Sequence, residues 1–257
     1  MKAGINLYSI RNLIKTEEEL IKTATALREM GYSYMQYSGA PFEPERIART
    51  IRETGMPVLL THVPMERITS DTERLMEEHS LFGCKNIGLG MMPLDIISND
   101  TECKRKVEKL EHAAELMEKN GFKFFYHHHH FEFYKNTSGE CVFDYIIKNA
   151  PHVNFTLDTY WLQYGGVNIL SYIERLAGKI GCVHLKDYKI ELEQNDGKLS
   201  MKPQFAPVGD GTVDFPTVIE KMRAAGTEYY FVEQDNAATL PSPLSEVERS
   251  IKYLKEI

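Results

Sequence analysis

Five short apolar runs in this 257-residue chain end in side chains that can bind a cation or move a proton. LLTHVP holds His62, and FFYHHHHFEF holds four consecutive histidines (127–130) and Glu132. FTLDTYW holds Asp158, CVHLKD holds His184, Lys186 and Asp187, and FVEQD holds Glu233 and Asp235. Asp, Glu and His with no well-placed cysteine suit a divalent ion; carboxylates favour Mn or Mg, and imidazole shifts the preference towards Mn, Co or Zn. Mn(II) is the expected ion, with Mg, Co and Zn as alternatives. An ion that holds two adjacent sugar oxygens polarises the carbonyl and acidifies the neighbouring C–H. A carboxylate or imidazole then removes the proton and leaves an enediolate. Returning the proton elsewhere isomerises the sugar, and returning it to the opposite face epimerises it.

Alternation along a strand puts His127 and His129 on one face and His128 and His130 on the other. It also puts Lys186 on the face of His184, which is costly unless that face opens on a polar site. Lys186 is then suited to bind a substrate oxygen or to neutralise an enediolate, and His62 to contact substrate. Gly209–Asp210–Gly211 lacks the Lys and Ser/Thr of a phosphate-binding loop and reads as a flexible loop over the site.

These residues need a scaffold that brings strand ends together. Strand candidates are Ala3–Ser9, Tyr32–Tyr37, Val58–His62, Asn86–Gly90, Phe122–His128, Asn154–Asp158, Ile180–Lys186 and Tyr229–Glu233. Most are short and apolar, as strands buried on both faces are. Helical stretches separate them: Thr16–Met30, Pro44–Thr54, Thr72–Phe82, Thr101–Asn120, Phe143–Asn149, Ile169–Ala177, Phe215–Ala225 and Leu244–Ile257. Thr16 and Glu19 form a capping-box pattern, and Gly31 ends that helix. Eight alternating units predict an α/β fold, a single-domain (β/α)8 TIM barrel over 1–257, with its active site at the C-terminal strand ends.

Composition narrows the partners. A formal net charge of −7 and the lack of a clear basic stripe argue against nucleic acid and for a small neutral ligand. No run of about 18 apolar residues exists to span a membrane, and the start MKAGINLYSIRN lacks the form of a signal peptide, so a cytoplasmic protein is expected. The four cysteines, far apart in sequence, are expected to be reduced and mostly buried.

YHHHHFEF (126–133) is similar to a YHNHxFEF family pattern, and LDTYW (157–161), VHLKD (183–187), PVGDGTVDF (207–215) and FVEQD (231–235) also match. In the first half only LYS (7–9) and THVP (61–64) do. By these motifs the chain resembles the sugar phosphate isomerase/epimerase group of the xylose-isomerase-like (AP endonuclease family 2) barrels. The resemblance implies a sugar or polyol substrate and a Glu, Asp, His, Glu metal set from strands five to eight. Asp158, His184 and Glu233 match directly. Glu132 is the only carboxylate in the fifth-strand segment, with His127 or His129 as alternative donors. Glu132, Glu233, His129 and Lys186 are the expected catalytic groups; His62, His127, Lys186 and Trp161 are expected to bind substrate. Trp161 stands where ketose epimerases tend to carry a His, and its ring suits the C–H face of a sugar. Related barrels are often dimers or tetramers, so the resemblance implies a homo-oligomer. The reading is an isomerase or epimerase; the alternatives are an inosose-type dehydratase, an abasic-site endonuclease and a non-catalytic sugar-binding protein.

Overall fold

Short strands with both faces buried need a parallel sheet covered by helices outside and by its own side chains inside. The chain meets that need with a closed (β/α)8 barrel. The computed structural model describes residues 1–257, the side chain of Asn195 excepted. The barrel strands are β1 (Gly4–Asn6), β2 (Tyr34–Tyr37), β3 (Val58–His62), β4 (Asn86–Leu89), β5 (Lys123–His127), β6 (Asn154–Asp158) and β7 (Ile180–Leu185). A hairpin of β8 (Asp187–Asn195) and β9 (Lys198–Ala206) follows, and β10 (Tyr229–Val232) then closes the barrel against β1. The capping box at Thr16 is formed in both directions with Glu19, and Gly31 ends that helix at φ 107°. All four cysteines are buried and free. Among the described residues no helix is long and apolar enough to cross a membrane.

The two-residue pleat sorts the barrel interior into layers. Tyr34, Leu60, Phe125, Cys182 and Phe231 form a buried cluster of their own, an apolar plug inside the barrel. Two residues further along the same strands come Gln36, His62, His127, His184 and Glu233. The pleat thus sets one polar residue above each member of the plug. Register aligns the strand ends: Asp158 pairs with His184 and Phe231 with His184, and the Glu233 amide donates to the Leu185 carbonyl at 3.1 Å. Gly88 and Gly90 leave room for the His62 ring, which a Cβ at either position would strike.

Three of the departures from the expected elements lie at strand ends of the upper layer or follow them directly. β1 stops at Asn6, whose side chain accepts the Tyr8 amide and starts a 3-10 turn over Leu7–Leu13. Asp158 caps a short helix, Thr159–Tyr164, by accepting the Trp161 amide. The β8–β9 hairpin was not anticipated, although Ile190 and Leu192 alternate with Glu191 and Glu193, and Asp196–Gly197 (φ 49° and 77°) makes the primed turn that such pairs favour.

The 207–213 segment is no loose flap. Asp187, turned away from Lys186 by the pleat, accepts the amides of Tyr188 (2.8 Å), Gly209 (3.0 Å), Gly211 (3.0 Å) and Val213 (3.2 Å). Asp187→Ala strands those amides and is expected to cost about 2–4 kcal/mol in urea unfolding; an unchanged midpoint would show that the carboxylate does not hold the segment.

Candidate metal centre

The upper layer brings four ligand atoms together. His127, Asp158, His184 and Glu233 each offer one, all within 4.8 Å of one another, and all four residues are buried. His127 Nε2 lies 3.3 Å from Asp158 Oδ2, and His184 Nδ1 lies 2.7 Å from Glu233 Oε2 and 3.6 Å from Asp158 Oδ2.

Each ligand is tied down by its other polar atom. His127 Nδ1 donates to the Gly90 carbonyl at 2.8 Å, so Nε2 carries the lone pair of the neutral ring. His184 Nε2 donates to Gln36 Oε1 at 2.8 Å, which turns Nδ1 towards the carboxylates, and the Gln36 amide nitrogen lies 3.0 Å from His62 Nε2. Glu233 Oε1 accepts from Asn6 Nδ2 at 2.7 Å, and Ser38 Oγ donates to Asn6 Oδ1. Asp158 Oδ1 accepts the Trp161 amide at 2.9 Å, and its own amide donates to His128 Nε2 at 3.1 Å. Oriented outer partners of this kind accompany metal ligands. His184 Nδ1 and Glu233 Oε2, close as they are, lack hydrogen-bond alignment, and neither has a hydrogen-bond partner. Two nitrogen and two carboxylate donors facing one point fit a divalent ion.

The charge balance demands cations there. Burial alone would raise the Asp158 pKa, but the Lys186 ammonium and the imidazoles of His127 and His184 hold it well below the usual carboxylate range. Burial is likewise overcome at Glu233, by His184 and Lys186. At His184 burial works against the proton, and Glu233 and Asp158 outweigh it, raising the pKa to about 9. Lys186, 1% exposed, places Nζ 3.1 Å from Asp158 Oδ2, Glu233 Oε2 and Asp235 Oδ1. Those three carboxylates keep it charged against its burial.

His62, His129 and Lys186 line the cavity above, together with His127, Glu233 and Asp235. Trp161 stands beside His129 and His130, at ring distances of 5.1 and 5.2 Å, with Lys186 Nζ 5.1 Å from its centroid. Glu132 does not join the cluster. β5 ends at His127 and the chain turns, so Glu132 points into the protein, where Oε1 accepts from Tyr126 Oη at 2.9 Å and Oε2 from the His129 amide at 2.8 Å. His127 stands where the fifth-strand carboxylate was expected. The roles of Asn6, Gln36 and His128 were missed; their positions two residues past, or beside, apolar inward positions were the available clue. Asp235, at the end of the same apolar run as Glu233, adds the third carboxylate to the Lys186 ammonium.

A model of the xylose isomerase-like TIM barrel matches residues 24–257. An inosose dehydratase from Clostridium perfringens is 29% identical over 99% of this chain and 86% of its own length. The crystal structure of a sugar phosphate isomerase/epimerase from Parabacteroides distasonis superimposes with a TM-score of 0.81 at 19% identity, covering 99% of this chain and 93% of that one. A xylose isomerase-like TIM barrel protein from Mycobacterium smegmatis, in complex with magnesium, gives 0.71 at 15% identity over 99% and 95% of the two chains. At such identities the two structures speak for the fold alone.

Burial pushes the Glu132 carboxyl up to about 7, against the hydrogen bonds from His129 and Tyr126. Between pH 4.5 and 7 the folded chain therefore binds more protons than the unfolded one, and stability falls as pH rises through that window. Glu132→Gln removes the dependence, so the variant should gain up to about 3 kcal/mol on the parent across it. Parallel unfolding curves at pH 4.5 and 7 would contradict this.

Proposed function

The chain belongs to the xylose isomerase-like TIM barrel family, and from that premise we propose that it is a divalent-metal-dependent isomerase or epimerase of a keto-sugar or related polyol. The observation that carries the reading is the convergence of the His127, Asp158, His184 and Glu233 donors, each fixed by a separate outer partner. Mixed nitrogen and oxygen donors suit Mn(II), with Mg, Co and Zn as alternatives.

A bound divalent ion supplies Lewis acidity, which lowers the pKa of a C–H beside a ketone. The protein's own groups do the rest. Glu233 is a carboxylate at the cavity wall, kept ionised by its neighbours and suited to take the proton. Lys186 holds a positive charge near the developing enediolate oxygen. In its acid form Glu233 returns the proton to the neighbouring carbon, while His129 and His62, which burial keeps neutral, offer imidazole nitrogens for hydrogen bonds to substrate hydroxyls. Trp161 backs His129 and steadies the wall.

The similarity to an inosose dehydratase along 99% of the chain favours a second reading, a lyase that begins with the same proton abstraction. Lys186 would then protonate the departing β-hydroxyl. The product is lighter by one water in that case and unchanged in mass for isomerisation.

Metal analysis should find about one divalent ion per chain, and Asp158→Asn or Gln36→Leu should each weaken its binding about 10–100-fold. Unchanged affinity in both would overturn the centre. Deuterium wash-in over keto-sugars and inososes should label one carbon, and Glu233→Gln should slow that exchange by about 100-fold or more. Full exchange in Glu233→Gln would remove the carboxylate from the mechanism.

A further inference from the structure

The cavity over the four donors has a volume of about 510 Å³ and two unlike sides. The ends of β5, β7 and β10 supply the polar groups His127, His129, Lys186, Glu233 and Asp235, and Tyr8, Ser38 and His62 add to them. The end of β4 and the turns after β3 and β4 supply Val63, Met65, Leu89, Met91 and Pro93, which carry no polar side-chain group except a thioether. Met91 is 51% exposed and Met65 half-buried, with Val63 and Leu89 buried behind them. An apolar side chain left exposed at a site mouth offers a place for an apolar group, and methionine adapts to irregular partners.

The shelf does not suit an anion. Among the described residues lining the cavity, Lys186 is the only cation, and three carboxylates surround its ammonium. Arg11, which lies over the ring of Tyr8 at the rim, donates to the carbonyls of Tyr8 (2.8 Å) and Asp235 (3.0 Å). A phosphate at the mouth would face Asp235 and Glu233, and no lining residue supplies a cation outside the Lys186 cluster.

We propose that the shelf of Met65, Leu89 and Met91 receives the apolar part of an uncharged substrate: an aryl or alkyl group joined by a glycosidic bond to the ring that lies over the polar floor. The inference rests on the reading of that floor as a carbohydrate site. It sets glycosides above free keto-sugars and above phosphate esters.

Calorimetric titration of the metal-loaded full chain with phenyl β-D-glucopyranoside, glucose and glucose 6-phosphate tests it without needing turnover. The phenyl glucoside should bind at least about tenfold more tightly than glucose, as burial of one ring predicts. Glucose 6-phosphate should bind no more tightly than glucose. Met65→Ser with Met91→Ser, checked for an unchanged melting curve, should bring the preference to within about twofold. Equal binding of glucoside and glucose, no measurable binding of the glucoside, a tighter phosphate ester, or a preference that survives the double variant would each overturn the proposal. So would a double variant that changes only the sedimentation of the protein, since the shelf would then belong to contact with a second copy. Failure of every keto-sugar to exchange deuterium, with the glucoside preference intact, would remove the reaction and leave the shelf standing.

Discussion

Asp158 and Glu233 are carboxylates buried side by side at one end of the barrel, and their charge sets the terms for the side chains around them. An isolated buried carboxylate would take up a proton rather than stay ionised. Here Lys186 and His184 lie between or beside the pair and hold both pKa values low, while Asp235 shares the ammonium. The same arrangement turns Nε2 of His127 and Nδ1 of His184 towards the carboxylates. Such a centre could hold a divalent ion, because removing any of its positive charges exposes the repulsion of the carboxylates.

The barrel supports that electrostatic load by what lies beneath it. Phe125, Phe231, Tyr34, Leu60 and Cys182 fill the interior one layer down, so the polar groups stand on an apolar floor and cannot sink into it. The lower layer also fixes positions: the Tyr34 hydroxyl accepts the Tyr230 amide and steadies β10 just before Glu233. A dry floor lowers the local dielectric, which strengthens the attraction between the ammonium and the carboxylates as much as it raises the cost of burying them.

A histidine at the end of β5 changes the balance of such a site. With His127 in place of a carboxylate, the centre carries two fewer oxygens and one less negative charge than a Glu, Asp, His, Glu set. Glu132, spared from coordination, instead shapes the turn that follows the strand by accepting the His129 amide. The turn in turn sets His129 beside His127, at a ring distance of 4.7 Å, and over the cavity.

Much of this was written locally in the chain. The barrel was legible because short apolar runs and capped amphipathic helices alternate eight times, and the polar residues at strand ends were legible because a parallel barrel gathers those ends at one mouth. The β8–β9 hairpin was legible too, in the alternation around Asp196–Gly197, and was overlooked beside the stronger helix pattern. Which of four adjacent histidines turns inward was not legible, since that depends on where β5 stops pairing with β4 and β6. The burial of Glu132, the tautomers that Gly90 and Gln36 impose, and the three-carboxylate grip on Lys186 were hidden for the same reason. Sequence specifies pleat and period within a segment, whereas convergence of residues 36, 127, 158, 184 and 233 depends on the register of neighbouring strands and on closure of the barrel, and both are set by contacts between parts of the chain far apart in order.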